Sequence, residues 1–275
     1  MTTTNEQFSA ASERGKDKYQ PFPGKVIEQM PILLADGREP VSTAHTADRR
    51  LYADEEVRPK WRNNYVFTGD APVYNGEGEV KLVLDSQDLR EVNPQSSLYP
   101  NTGALVLSPS RWKALRGKKV MPLSQKDLQE LNGKGYTRQT AKQSDVWRFI
   151  LRSKKRQNDY ADLVADATQS DDIMRVYFDL EQYNLPVLRP LVLLGFGDRS
   201  FAVGNDILNV GSGRLVGVVS GGAAHVDGRE AQSKKNFGVP TRDIAVGVLD
   251  YLRERTFDQG IPSQKELERV IRETV

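Results

Sequence analysis

Fourteen Lys and Arg residues stand between Arg111 and Arg156, against only Asp127, Glu130 and Asp145. That stretch carries about +11 and leaves about −9 for the rest of a chain whose net charge is +2. Phosphates are the natural target of such a local excess, because each cation that meets a backbone phosphate releases condensed counterions. At helical spacing Arg138, Lys142, Arg148, Arg152 and Lys155 fall on one arc, while Val146, Trp147, Ile150 and Leu151 fall on the other. Lys154 and Arg156 extend the charge. These seven cations are the expected contacts to DNA or RNA, with Trp112 and Tyr136 near enough in sequence to stack on bases. The same pattern also fits a solvated helix face docked on the chain's own acidic remainder.

A second chemistry would sit on the glycines. Ten of the chain's 22 glycines lie between Gly195 and Gly238. Gly195-Phe-Gly197-Asp-Arg-Ser200 follows an apolar run and starts like a dinucleotide fingerprint, but Ser200 replaces the third glycine and no helix is expected after it. What remains is a looser phosphate nest at Gly195, Gly197 and Ser200. No P-loop pattern occurs, and Ser220 lacks the glycine two residues before it that a nucleophile elbow needs, since Val218 stands there. His225 and Asp227 would point to one side of an extended segment, where Asp198 could join them around a divalent cation.

Zero cysteines exclude disulfides, cysteine-ligated zinc and thiol catalysis. With two histidines, any metal would rest on carboxylates and so be magnesium, manganese or calcium rather than zinc. The first twenty residues lack the apolar centre of a signal peptide, and the run near Leu185–Phe196 is too interrupted to span a bilayer. The expectation is therefore a cytoplasmic protein with no membrane partner.

These residues need elements to hold them. The pattern predicts an α+β fold: a polar flexible tail over 1–24, a β-rich region over 25–122, a basic helical region over 123–184 and an α/β region over 185–275, with one continuous domain from 25 as an alternative. Val26–Leu34 reads as a strand, and 40–64 shows no clear pattern. A hairpin joins Val73–Tyr74 to Glu79–Leu84 through Asn75-Gly76-Glu77-Gly78. Strands follow at Ala104–Leu107 and Lys119–Leu123, and helices at Pro109–Leu115 and from Ser124 to Leu131. One basic helix runs from Thr137 to about Ser153, then helices at Asp159–Ala167 and Asp171–Tyr183. Leu191–Leu194 and Leu215–Val219 are buried strands, and helices 242–255 and from Ser263 close the chain.

A nucleic-acid-associated binding protein is the leading expectation. An enzyme acting on a nucleotide or phosphorylated substrate at the glycine-rich turns is the runner-up. A structural or interaction protein, its basic middle docked on an acidic partner, is the third.

Overall fold

The computed structural model describes residues 19–219 apart from 101, 133–134, 180, 182 and 212. Ser220, His225, Asp227 and the two expected C-terminal helices lie outside the described residues. The chain divides into residues 1–224 and 225–275, and every described residue belongs to the first unit.

The fold is α+β, as the patterning predicts. One sheet has the strand order β1 (Tyr19–Pro23), β12 (Arg214–Val219), β3 (Val66–Phe67), β10 (Val192–Leu193), β11 (Ala202–Val203) and β8 (Val176–Tyr177), with β2 (Arg38–Pro40) also paired to β12. The second has the order β6 (Leu105–Val106), β9 (Val187–Leu188), β4 (Ala71–Tyr74), β5 (Val80–Val83) and β7 (Val120–Leu123). Most pairs are antiparallel; β12 with β3 and β11 with β8 are parallel. Both sheets draw strands from early and late in the chain.

The expected hairpin is present, with Tyr74 opposite Val80 and Ala71 opposite Val83. Its turn is held by Asn75, whose Oδ1 accepts the amides of Glu77 at 3.0 Å and Glu79 at 2.8 Å. Two short helices also form where their caps predict them. Ser108 caps α5 (Pro109–Ala114), and Ser124 with Asp127 makes a reciprocal capping box for α6 (Gln125–Leu131).

Five expectations are corrected. Tyr19–Pro23 is strand β1, not tail, because Tyr19 and Phe22 bury against β12. Val26–Ala35 is helix α1, not a strand: Val26, Ile27, Met30 and Leu33 recur at helical spacing, and all four are buried. The unpatterned stretch 40–64 holds helices α2 (Thr43–Tyr52) and α3 (Arg58–Asn63), the first capped by Ser42 and the second opened by Pro59. After β5 a single helical turn, α4 (Gln87–Arg90), is capped by Ser86, whose hydroxyl accepts from the Leu89 amide.

The fourth correction lies in the basic region. Instead of one helix from Thr137 to Ser153 there are α7 (Arg138–Gln143) and α8 (Asp145–Leu151), followed directly by α9 (Lys154–Thr168). Ser144 closes α7 and caps α8, its hydroxyl accepting from the Trp147 amide at 3.3 Å. Ser153 does the same for α9. Serine competes for backbone hydrogen bonds inside a helix and satisfies orphan amides at its start, so each serine breaks the run. The fifth correction is the helix expected over Asp171–Tyr183, which is absent among the described residues of that span. Met174, Val176 and Phe178 are buried at strand period, Ile173 bridges to Tyr136, and β8 joins the sheet.

The larger core fills the space between α7–α9 and the two sheets around Trp147, Ile150, Tyr160 and Val164. A second core brings Met30 and Leu33 of α1 together with Phe67 and Leu215 of the first sheet and Val73 and Leu188 of the second. Gly217 makes this second contact close. A Cβ there would stand 2.9 Å from the Phe22 ring and 3.0 Å from Leu33 Cγ.

Candidate functional site: a basic cleft at the end of α8

The chain turns sharply at Arg152. This residue adopts a left-handed conformation (φ +59°), ends α8 by donating its amide to Phe149, and is followed at once by the Ser153 cap of α9. Arg148, Phe149 and Arg152 therefore project from one side of the corner and Lys154 from the other. Opposite them runs the Gly117–Lys119 turn that leads into β7. It is fixed to the end of β5 by the Leu84 amide, which donates to Lys119 O at 2.9 Å. The two sides enclose an open cleft of about 470 Å³, lined also by Leu84, Asp85 and Ser153.

Five cations and one carboxylate line this space. Lys118, Lys119, Arg148 and Lys154 are exposed, and Phe149 is half-buried with its ring packed on the main core. Arg152 is held from below by two carboxylates. Its Nη2 donates to Asp70 Oδ1 at 2.8 Å and to Asp85 Oδ1 at 2.8 Å, while Nη1 donates to Asp85 Oδ2 at 3.1 Å. Asp70 has no exposure and also accepts the amides of Thr43 at 2.8 Å and Asp85 at 3.0 Å. Burial opposes the Arg152 charge, but Asp70 and then Asp85 outweigh it and raise the guanidinium above its usual range. Burial likewise pushes Asp85 up, and Arg152 followed by Lys119 overcomes it, so this carboxyl lies below the ordinary range.

The seven expected phosphate contacts do not share one face. Arg148, Arg152 and Lys154 line the cleft. Arg138 pairs with Asp162 and Asp166, and Lys142 with Asp162 at 2.6 Å, both on α9. Lys155 pairs with Asp159 at 2.5 Å within α9, and Arg156 with Asp48 of α2 at 2.6 Å. Arg148 also reaches Asp145 at 2.5 Å, and Lys154 donates to the Lys142 carbonyl. Six of the seven thus meet this chain's own carboxylates, and in the pairs of Arg148 and Lys155 the cation stays largely in solvent, where such contacts are weak.

At the glycine turn, Gly195 is buried against the backbone of Arg62 and Asn63, Gly197 is exposed, and Phe196–Asp198 forms a single 3₁₀ turn. The amides of Asp198, Arg199 and Ser200 are spent on carbonyls of the same turn. Ser200 Oγ is buried between Arg50 and Tyr160. Asp198 is exposed, and its expected companions His225 and Asp227 lie outside the described residues. Among the described residues no group of three His, Asp or Glu side chains is placed to hold a metal. A second cavity, of about 80 Å³, is lined by Glu79, Asp179 and Glu181 and would repel an anion.

Sequence reasoning missed Lys118, Lys119, Phe149 and Asp85 as partners of one site. Lys118 and Lys119 are visible in the basic run, but only the pairing of β5 with β7 brings them opposite α8. Among the described residues no helix is long and apolar enough to cross a membrane.

No protein-family model matches this chain, and no curated protein matches it. A solved structure does match: a Nanoarchaeota protein described as accommodating massive sequence variation by the C-type lectin fold. It is 14% identical, with a TM-score of 0.58, over 76% of this chain and 99% of the other. At that identity the likeness speaks of backbone architecture: this chain has the α+β arrangement of a C-type lectin-like fold.

Proposed function

We propose that this protein binds single-stranded nucleic acid, with the backbone in the cleft at the end of α8 and a base on Phe149. One observation carries the reading. Lys118, Lys119, Arg148, Arg152 and Lys154, drawn from opposite ends of the basic stretch 111–156, converge around a half-buried aromatic ring. Cations that track phosphates, combined with an aromatic platform, are the recurring solution for single strands. A concavity of about 470 Å³ is of a size to take a nucleotide-sized group, and a duplex is far too wide to enter it. The fold itself does not choose a ligand. The Nanoarchaeota neighbour is described as accommodating massive sequence variation, so recognition on such a scaffold rests with surface side chains.

Fluorescence anisotropy with a labelled mixed-sequence DNA or RNA single strand tests this. Binding is expected at low ionic strength, to weaken steeply with salt, and to fall by about tenfold or more in K118E/K119E. Absence of binding at low salt, or equal affinity of wild type and K118E/K119E, would sink the reading.

A further inference from the structure

One anion already sits among the cations of the cleft. Asp85 meets the Arg152 fork through both oxygens, at 2.8 and 3.1 Å, and Lys119 Nζ at 3.0 Å. A carboxylate in a bidentate arginine fork occupies the geometry that a phosphate takes. Arg152 does not need this partner to be neutralised. Asp70, fully buried beneath it, supplies a second carboxylate at 2.8 Å. Asp85 is the one lining carboxylate in contact with solvent, at 23% side-chain exposure, and it sits in a left-handed conformation (φ +49°) that aims it between the two cations.

Resting on the nucleic-acid reading above, we infer that Asp85 is a resident competitor for the ligand's phosphate. In the free protein it pairs with Lys119, whose side chain stays 68% exposed, and occupies one side of the Arg152 fork. A bound strand must displace the carboxylate by rotation of its side chain, while Asp70 keeps Arg152 in place. Asp85 thereby lowers affinity for every polyanion and leaves the cleft selective for ligands whose other contacts, base stacking on Phe149 included, repay the displacement.

The full chain carrying Asp85→Asn is compared with wild type for binding a labelled single-stranded DNA of mixed sequence. Asparagine tolerates the left-handed backbone, and Asp85→Gly, which matches it without a side chain, is the second variant. Asp162→Asn is the control, since it raises net charge equally but faces Arg138 and Lys142 rather than the cleft. Asp85→Asn and Asp85→Gly are expected to bind about tenfold tighter than wild type, because a like charge facing the phosphate is removed, and Asp162→Asn less than about twofold tighter. If wild type binds but neither Asp85 variant exceeds the control, the competitor role is overturned and the cleft reading stands. If neither wild type nor any variant binds, the cleft reading falls and takes this inference with it.

Discussion

Arg152, just past the end of α8, and Asp70 just before β4 are 82 residues apart in sequence and 2.8 Å apart in space, and Asp70 has no contact with solvent. The pair fastens the basic corner to the hairpin sheet. Removing the cation leaves a buried carboxylate with only two amides, so Arg152→Ala is expected to cost about 3 kcal/mol of stability. The backbone at Arg152 is left-handed, which alanine disfavours and glycine does not. Arg152→Gly should therefore unfold at higher urea than Arg152→Ala, by about 1 kcal/mol. Equal stability of the two variants would mean that the left-handed cap stores no strain.

Arg50 is the most deeply buried cation among the described residues. Its partners are the carbonyls of Trp61, Asn64, Leu193 and Leu194 at 2.8–3.3 Å and the hydroxyls of Tyr160 and Ser200 at 2.7 and 3.0 Å. No carboxylate is among them. The planar fork ties α2, α3 and the end of β10 together, and each orphaned buried acceptor would carry a desolvation cost. Arg50→Met is expected to lose roughly 4 kcal/mol in chemical denaturation. Arg50→Lys should lose about 2 kcal/mol or more, because a lysine cannot span the same oxygens. A loss below about 1 kcal/mol for both would show that the network is redundant.

Local signals explain which parts of this architecture the sequence discloses. Asn75-Gly76, Ser108-Pro109 and Ser124 with Asp127 act within four residues, and all three form as patterned. The failures are also local, but of another kind. Ser144 and Ser153 compete with a continuous helical wheel, and their capping strength wins over the periodicity that spans them. Met174, Val176 and Phe178 alternate, yet the acidic pair before them resembles a helix start; Asp172 instead pairs with Arg175 and Arg199. The cleft was half legible. Its cations stand out by charge, whereas Asp70 and Asp85 have no signal of their own, because their meaning comes from long-range pairing with Arg152.

Acid should destabilise the protein through a defined set of carboxylates. Asp85 is held low as described above. Asp127 is lowered by hydrogen bonds from Ser124, Asp159 by Lys155 and Asp172 by Arg175. A carboxyl depressed in the folded state contributes stability above its unfolded pKa and loses it as pH falls through the folded value. Thermal midpoints should be flat from neutral pH to about 5 and drop below about 4. Asp206 runs the other way. Burial raises it against the Ile207 amide and the Arg189 charge, so its ionised form costs stability once pH rises past the folded value. Asp206→Asn keeps an acceptor for the Ile207 amide, at 2.8 Å in wild type. Its midpoint is expected above wild type at pH 7 and equal to it near pH 3; a lower midpoint at pH 7 would contradict the assignment.

Two basic surfaces, with the same net charge change available on each, separate a field effect from a site. Arg138 and Lys142 lie against Asp162 and Asp166 on α9, where their charge is already met. Lys118 and Lys119 face the cleft, Lys119 against Asp85 and Lys118 with no ion pair among the described residues. If binding followed overall positive charge alone, R138A/K142A and K118A/K119A would weaken a single-stranded ligand equally. If binding is seated in the cleft, K118A/K119A should lower affinity by about tenfold and reduce the slope of log affinity against log salt by about 1.4, the loss of two phosphate contacts on a single strand. R138A/K142A should change affinity by less than about twofold and cost under about 1 kcal/mol per exposed pair in stability. Phe149→Leu should weaken single strands while leaving the salt slope untouched, because stacking releases no counterions. Parallel salt titrations of the four proteins decide the matter, and an unchanged slope in K118A/K119A would remove the cleft from the account.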